Sequence, residues 1–468
     1  TLMKSSLRAA WRSALCAMPL ALAACGGGGD DAGSAAPPQS CSVADQQQWL
    51  RSYMDDWYYW YALSPKPSPS GFSSVETYFD ALLYTGGDLI PNGAGARWPA
   101  DRYSGYESTE SFNRFYGAGQ TLGYGVAVAG LEVTQPSPQP NAPLYVRYVE
   151  PRSPAASAGV VRGDRVLSLN GVAVSALISA NDFGALTPAA AGNTLTLVLR
   201  NAAGVDRTLV LTAAVYTLTP VQNRQIVQSP NGRSIGYLTV KDMIEPTATP
   251  LADAFSSFRA NNVQELVLDL RYNGGGLVSV GREVASYAAG ARASGQLFAR
   301  LLYNDKRSAN NQDYAFGNPA NWAGLPKVYV LAGPRTCSAS EQVINGLRGV
   351  GVNVVAIGDT TCGKPVGFLP QGNGCGTTYS VVNFESVNAR NEGRYFDGFQ
   401  ATCRIAEDFT RPVGATTDPL LVAAAHHADN GVCPAGTGLR ESPQSRLLPP
   451  GARYRGADGG ERTGMSAR

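Results

Sequence analysis

Histidine is nearly absent: the 468 residues include only His426 and His427, adjacent in an apolar run late in the chain. The usual general base for a serine or cysteine nucleophile is therefore scarce. No cysteine pair has CxxC spacing, and only the adjacent histidines could complete a zinc set, so no metal or other cofactor is expected. Charge is sparse too, with 16% Asp, Glu, Lys and Arg and a formal net of +2. That leaves no basic surface to recruit nucleic acid. The apolar stretch at 13–24 is too short to cross a bilayer as a stop-transfer helix.

What the chain does have is core, since 44% of its residues are hydrophobic. Its length suggests two to four domains. Lys4, Arg8 and Arg12 ahead of that apolar stretch read as a targeting segment at 1–24, and losing it takes the formal charge from +2 to about −1. The stretch ends Leu22-Ala23-Ala24-Cys25, which resembles a bacterial lipoprotein signal with Cys25 as the lipidated residue. Gly26 follows rather than aspartate, which by the same resemblance points to a periplasm-facing protein on the outer membrane. Residues 25–40, rich in Gly, Ala, Pro and Ser, read as a flexible linker. Setting aside Cys16 and Cys25 leaves six cysteines, an even number that suggests disulfides in an exported chain. Cys362–Cys375 and Cys403–Cys433 are the local pairings, among fifteen combinations for six cysteines.

Residues 41–117 read as a small helical region. Trp49, Leu50, Tyr53, Trp57, Trp60 and Tyr61 fall at roughly helical spacing, as a core stripe or, alternatively, an aromatic binding face. Residues 118–217 are strand-rich with short loops, and 218–434 alternate strands with helices, which implies a mainly parallel sheet with crossover helices. Function then belongs at the carboxyl ends of the strands. Residues 435–468, polar and rich in Gly and Arg, read as a disordered tail.

Two strand ends carry the chemistry. Lys327-Val328-Tyr329-Val330-Leu331 is a buried strand followed by Gly333-Pro334, and Val343, Ile344 and Leu347 recur at helical spacing beyond it. Ser338 therefore sits at a strand-to-helix junction, where unpaired N–H groups and the helix dipole favour negative charge. Lys364 follows the next buried strand, 352–357, and a lysine whose pKa burial lowers can replace histidine as base. The competing possibility is a helix-capping Ser338 and a surface Lys364. A third element, Arg271-Tyr272-Asn273-Gly274-Gly275-Gly276, lies past the 266–270 strand. Its glycines suit an oxyanion hole, a phosphate cradle or a plain tight turn, although no Gly-Lys-Ser/Thr follows as in a P-loop.

The segment from 121 to 217 resembles a PDZ domain. The match rests on Ser153-Pro154-Ala155-Ala156-Ser157-Ala158-Gly159, then Arg162-Gly163-Asp164-Arg165-Val166, then Asn170-Gly171. The resemblance makes Gly123, Tyr124, Gly125 and Val126 the loop that takes a peptide's terminal carboxylate. A helix at 181–191 is interrupted by Gly184 and Pro188.

Three blocks in order complete the resemblance: Asp269-Leu270-Arg271-Tyr272-Asn273-Gly274-Gly275-Gly276, Ser338-Ala339-Ser340-Glu341, and Gly358-Asp359-Thr360-Thr361-Cys362-Gly363-Lys364. With the PDZ-like segment ahead of them, they resemble the carboxy-terminal processing (tail-specific) serine protease family. That resemblance implies an α/β fold: a crotonase/ClpP-like protease core, an inserted PDZ-like β-rich domain and a small helical N-terminal region. It implies Ser338 as nucleophile, Lys364 as base, Glu341 as the acid that orients the lysine in some members, and the N–H groups of Gly275 and Ala339 as the oxyanion hole. Asp269 and Arg271 would brace the turn. The family's last helix would end at His426 and His427, which have no catalytic part. Substrates would be exported proteins or peptides with free C-termini, with lipidated Cys25 on the membrane; an activating lipoprotein or self-association stays open.

Two departures stand out. Many members carry Gln four residues after the lysine, where this chain has Phe368. Cys337 and Cys362 flank both catalytic positions. Both motivate an alternative function, a tail-binding scaffold with a dead protease core. A serine esterase of the α/β-hydrolase kind is disfavoured, because no Gly-x-Ser-x-Gly surrounds Ser338.

Overall fold

The computed structural model describes residues 36–129 except 92 and 94, 143–180, 182–319, 321–435 and 464–467. Cys25 and the targeting segment lie outside the described residues. Among the described residues no helix is long and apolar enough to cross a membrane.

The N-terminal helix, Val43–Trp57, is capped by Ser42, whose side chain accepts from the Asp45 N–H. Its buried side, with Trp49, Leu50, Tyr53, Met54 and Trp57, joins the main core. The aromatic stripe is therefore packing rather than an open binding face. Helices Val75–Leu82 and Thr109–Tyr116 complete this region. The strand between them, Gly105–Ser108, pairs antiparallel with Thr377–Ser380.

The strand-rich segment forms an antiparallel sheet in the order Val126–Ala129, Leu144–Val149, Arg165–Leu169, Thr194–Arg200, Asp206–Thr212. Asn170 and Gly171 take φ +48° and +80°, the left-handed pair that turns Arg165–Leu169 into Val172–Ala173. The helix expected at 181–191 lies earlier, at Val174–Ala180, with only a 3₁₀ turn at Gly184–Leu186. Val174, Leu177 and Ile178, at i, i+3 and i+4, supply the buried face that 181–191 lacks.

The larger sheet runs Val221–Gln228, Ser234–Val240, Glu265–Asp269, Lys327–Ala332, Asn353–Gly358, Cys403–Arg404, and only its first pair is antiparallel. Every residue of Glu265–Asp269 is buried, as for a strand covered on both faces. Alternate side chains divide between two layers. Leu266, Leu268, Val328 and Val330 pack with the helices Ala248–Ala260, Val278–Ala289 and Ala339–Gly349. Val267, Tyr329, Leu331 and Ile357 pack with Leu420, Leu421 and Ala424 of Pro419–Asn430. His427 in that last helix sits beside the Tyr329 hydroxyl at 3.2 Å.

A second sheet runs Gly275–Leu277, Gly464–Ser466, Val366–Phe368, Val382–Val387, Leu297–Tyr303, Gln312–Ala315. Its second strand corrects the disordered-tail expectation at 464–467: Met465 is fully buried and Ser466 is 1% exposed. The segment's polar composition gave no sign of the pairing it finds.

Among the described residues three disulfides form: Cys41–Cys375, Cys337–Cys362 and Cys403–Cys433. The last matches the local pairing, but Cys362–Cys375 does not form. Proximity in sequence misled there, because the fold brings Cys41 to Cys375 across 334 residues.

Buried charge ties the end of the strand Glu265–Asp269 to the helix Pro419–Asn430. Arg271 donates to Asp418 at 2.6 Å and 3.2 Å and to Asp269 at 2.8–2.9 Å. Asp418 also caps Pro419–Asn430 through the Leu420 N–H. Arg162 of the strand-rich domain reaches across to the Tyr272 hydroxyl at 2.5 Å and Glu407 at 2.8 Å. Replacing Asp418 with alanine leaves a buried guanidinium short of its bidentate partner. Urea denaturation of D418A should show a loss of roughly 3 kcal/mol, whereas a loss under about 1 kcal/mol would contradict this role.

Candidate active site

Ser338 immediately precedes the helix Ala339–Gly349 and takes φ +60°, ψ −116°. This is a strained conformation for a residue with a Cβ. The side chain is wholly buried, and its Oγ has no hydrogen-bond partner. It keeps one mark of a helix cap, its N–H donating to Glu341 three residues on at 2.9 Å, but its strained, buried Oγ has no hydrogen-bond partner. The next N–H, on Ala339, lies in the first helical turn, where no intrahelical acceptor exists.

Lys364 is 1% exposed, so it is no surface lysine. Burial pulls its pKa down to about 7, against the opposing fields of Asp101 and Glu341. Its Nζ lies 4.1 Å from the centre of the Phe368 ring and 5.7 Å from that of Tyr103. The departure at Phe368 thus has a physical consequence: an apolar ring stands over the ammonium where an amide could have accepted from it. Tyr103 also donates to the Gly363 carbonyl at 2.9 Å.

Glu341 joins the two loops. Its wholly buried carboxylate accepts from the N–H groups of Ser338 at 2.9 Å, Gly363 at 2.8 Å and Lys364 at 2.8 Å, and from the Thr361 hydroxyl at 2.5 Å. Burial raises its pKa while these donors pull the other way. Its oxygens hold the main chains on both sides of the site, and its charge acts on Lys364 against the effect of burial. The Cys337–Cys362 bond repeats that link covalently, with the two Cα atoms 5.2 Å apart. Both sulfurs and the Glu341 carboxylate lie within 4.8 Å of one another, but the sulfurs are consumed by their mutual bond.

The glycine turn lies against the same helix start. Gly276 has φ +136°, and a Cβ there would sit 2.1 Å from the Met243 carbonyl oxygen, so only glycine fits. The Gly275 N–H donates to Asn273 Oδ1 at 2.8 Å, and Asn273 in turn accepts from Ser340 Oγ at 2.7 Å. Gly275 can serve as an oxyanion donor only once Asn273 releases it. Asn273, Thr361, Tyr103 and Asp101 were not read as site residues. The first two lie inside the motif blocks and could have been marked there; nothing local marks the other two.

The peptide-carboxylate loop divides. Gly125 and Val126 line a pocket with Tyr148, Glu150, Lys241 and Asp242. Gly123 instead pairs with Ala214, and Tyr124 is buried in the strand-rich domain's own core.

Known proteins align with this arrangement. The profile for peptidase family S41 matches residues 234–391, that for the peptidase S41 N-terminal domain 45–105, and that for a PDZ domain 145–201. A carboxyl-terminal-processing protease of Picosynechococcus is 26% identical over 50% of this chain and 55% of its own length. A chloroplastic C-terminal processing peptidase of Tetradesmus obliquus is 29% identical over 56% of each chain. The chain thus spans about half the length of these curated relatives. A putative S41 protease from Bacteroides fragilis superposes with a TM-score of 0.61 at 27% identity, covering 81% of this chain and 97% of that one.

A lysine with a pKa of about 7 is mostly neutral, and able to accept a proton, only above that pH. The rate of labelling by a serine-directed phosphonate should therefore rise with pH through a limb near 7. In Phe368→Gln, an amide oxygen able to accept from the ammonium should move that limb upward. A flat profile, or a limb that F368Q leaves in place, would contradict this account of Lys364.

Proposed function

The chain belongs to peptidase family S41, and from that premise we propose that it is a serine endopeptidase using Ser338 and Lys364 to cleave exported proteins near their C-termini. The observation that carries the reading is the pairing of a strained, buried serine at a helix N-terminus with a buried lysine whose pKa falls to about 7. One carboxylate and one disulfide hold them together.

The chemistry follows from the positions. Neutral Lys364 takes the hydroxyl proton as Ser338 Oγ attacks a peptide carbonyl carbon. The carbonyl π-pair moves onto oxygen, where the Ala339 N–H at the helix start, and the Gly275 N–H once freed from Asn273, would stabilise it. The tetrahedral centre collapses, the lysine ammonium protonates the departing amine, and an acyl-serine remains. Water, deprotonated by Lys364, then releases the acid and restores the serine. Glu341 is a positioning residue here, since its bonds run to backbone on both loops.

The PDZ domain would capture a substrate's C-terminal end. Gly125 and Val126 line a pocket that Glu150, Asp242 and Lys241 also border, with Lys241 paired to Asp242 at 3.3 Å, and the end of a substrate would lie along this loop. The three disulfides among the described residues fit an oxidising compartment, and a lipid on Cys25 would hold the protein to the outer membrane facing the periplasm.

The test is turnover of an unstructured protein with an apolar C-terminus. Ser338→Ala should reduce it to background, and Lys364→Ala should lower it by about 10²–10⁴-fold, both with unchanged melting temperature. Residual turnover by a folded S338A protein would overturn the nucleophile assignment. Peptide binding without turnover in the unsubstituted chain would favour a tail-binding scaffold.

A further inference from the structure

The strand Gly464–Ser466 lies in an unexpected place. It runs between Gly275–Leu277 and Val366–Phe368, parallel to both. Gly275 faces Gly464, Gly276 faces Met465, and Leu277 faces Ser466. On the other side Phe368 faces Ser466, and the Ala467 N–H donates to the Phe368 carbonyl at 2.8 Å. One flanking strand begins at the glycine expected to form the oxyanion hole. The other ends at the ring over Lys364 Nζ.

The fit is close along the whole segment. Met465 is fully buried in the main core, and Ala467 is 8% exposed. A Cβ on Gly367 would stand 2.7 Å from the Met465 carbonyl oxygen, so the flanking strand is bare where the segment passes. Neighbouring strands stand about 4.8 Å apart, so removing this one would leave two unpaired edges roughly 10 Å apart. Such a gap accepts one extended peptide, held by main-chain hydrogen bonds on both sides and by one apolar side chain in the Met465 pocket.

With the segment in place, the site is not set for chemistry. Ser338 Oγ has no hydrogen-bond partner, so the serine–lysine hydrogen bond is unmade. The Gly275 N–H is spent on Asn273. We infer that the gap between Gly275–Leu277 and Val366–Phe368 is the slot for an extended substrate strand, and that residues 464–467 occupy it in cis as a displaceable inhibitory strand. This inference rests on the protease reading above. The substrate class it names is an unfolded segment of small residues around one flexible apolar side chain, as in Gly-Met-Ser-Ala.

The test separates the two claims by using binding for one and labelling for the other. Fluorescein-labelled Thr-Gly-Met-Ser-Ala-Arg is titrated by anisotropy into Ser338→Ala protein in three forms: full length, ended after Thr463, and full length with Met465→Asp. Saturable binding to the latter two, at least about tenfold tighter than to the first, is expected, because a tethered strand competes at an effective concentration near millimolar. Equal binding to all three forms, or none to any, would overturn the inference. So would loss of a cooperative melt in both altered forms, which would make the strand a permanent part of the core. Phosphonate labelling of the same forms with Ser338 intact should be faster without the segment. Peptide binding as expected, with no labelling of any form, would leave the slot assignment standing and refute the protease reading.

Discussion

The carboxylate of Glu341 is the constraint on which the site depends. It is wholly buried and takes N–H groups from the Ser338 loop and from the Lys364 loop. A buried carboxylate without donors would be prohibitively costly, so these bonds stabilise the fold as well as aligning the site. Both loops are strand ends of one parallel sheet, and the carboxylate fixes how those ends meet. The Cys337–Cys362 bond sits beside it and restricts the same freedom.

A second layer of constraint surrounds the first. Lys364 is shielded by Phe368 and Tyr103, and Tyr103 comes from the N-terminal region. That region's Asp101 accepts from the Tyr58 hydroxyl and from the Ser104 side chain. The environment of Lys364 is therefore made jointly by the N-terminal helical region and the core. On the opposite side, Arg162 of the PDZ domain grips Tyr272, next to Asn273 and the glycine turn. The PDZ domain and the glycine turn share that contact.

Much of this is legible in the sequence. The alternation of buried strands and helices placed Ser338 and Lys364 at neighbouring strand ends, because period and breaker residues are local signals. The PDZ motif was legible through Asn170-Gly171 and the Pro154–Ser157 turn for the same reason. What escaped was non-local. The Cys41–Cys375 bond spans the chain, and no spacing rule reaches that far. The strand at 464–467 draws its order from edges offered by distant residues, since its own composition favours neither strand nor core. Glu341 was singled out, yet its bonds to the N–H groups of Ser338, Gly363 and Lys364 were not, because backbone N–H groups have no sequence signature. Phe368 was read as a departure from the family; its place over Lys364 needed the fold.

The central claim is that a buried lysine activates one strained serine. Its most direct measurement is the intact mass of the body from Cys41 onward after exposure to a serine-directed phosphonate, with peptide mapping of any adduct. The account predicts a single adduct on Ser338 that disappears in Lys364→Ala while the fold is retained. An adduct on another residue, or one on Ser338 that persists undiminished in K364A, would contradict it.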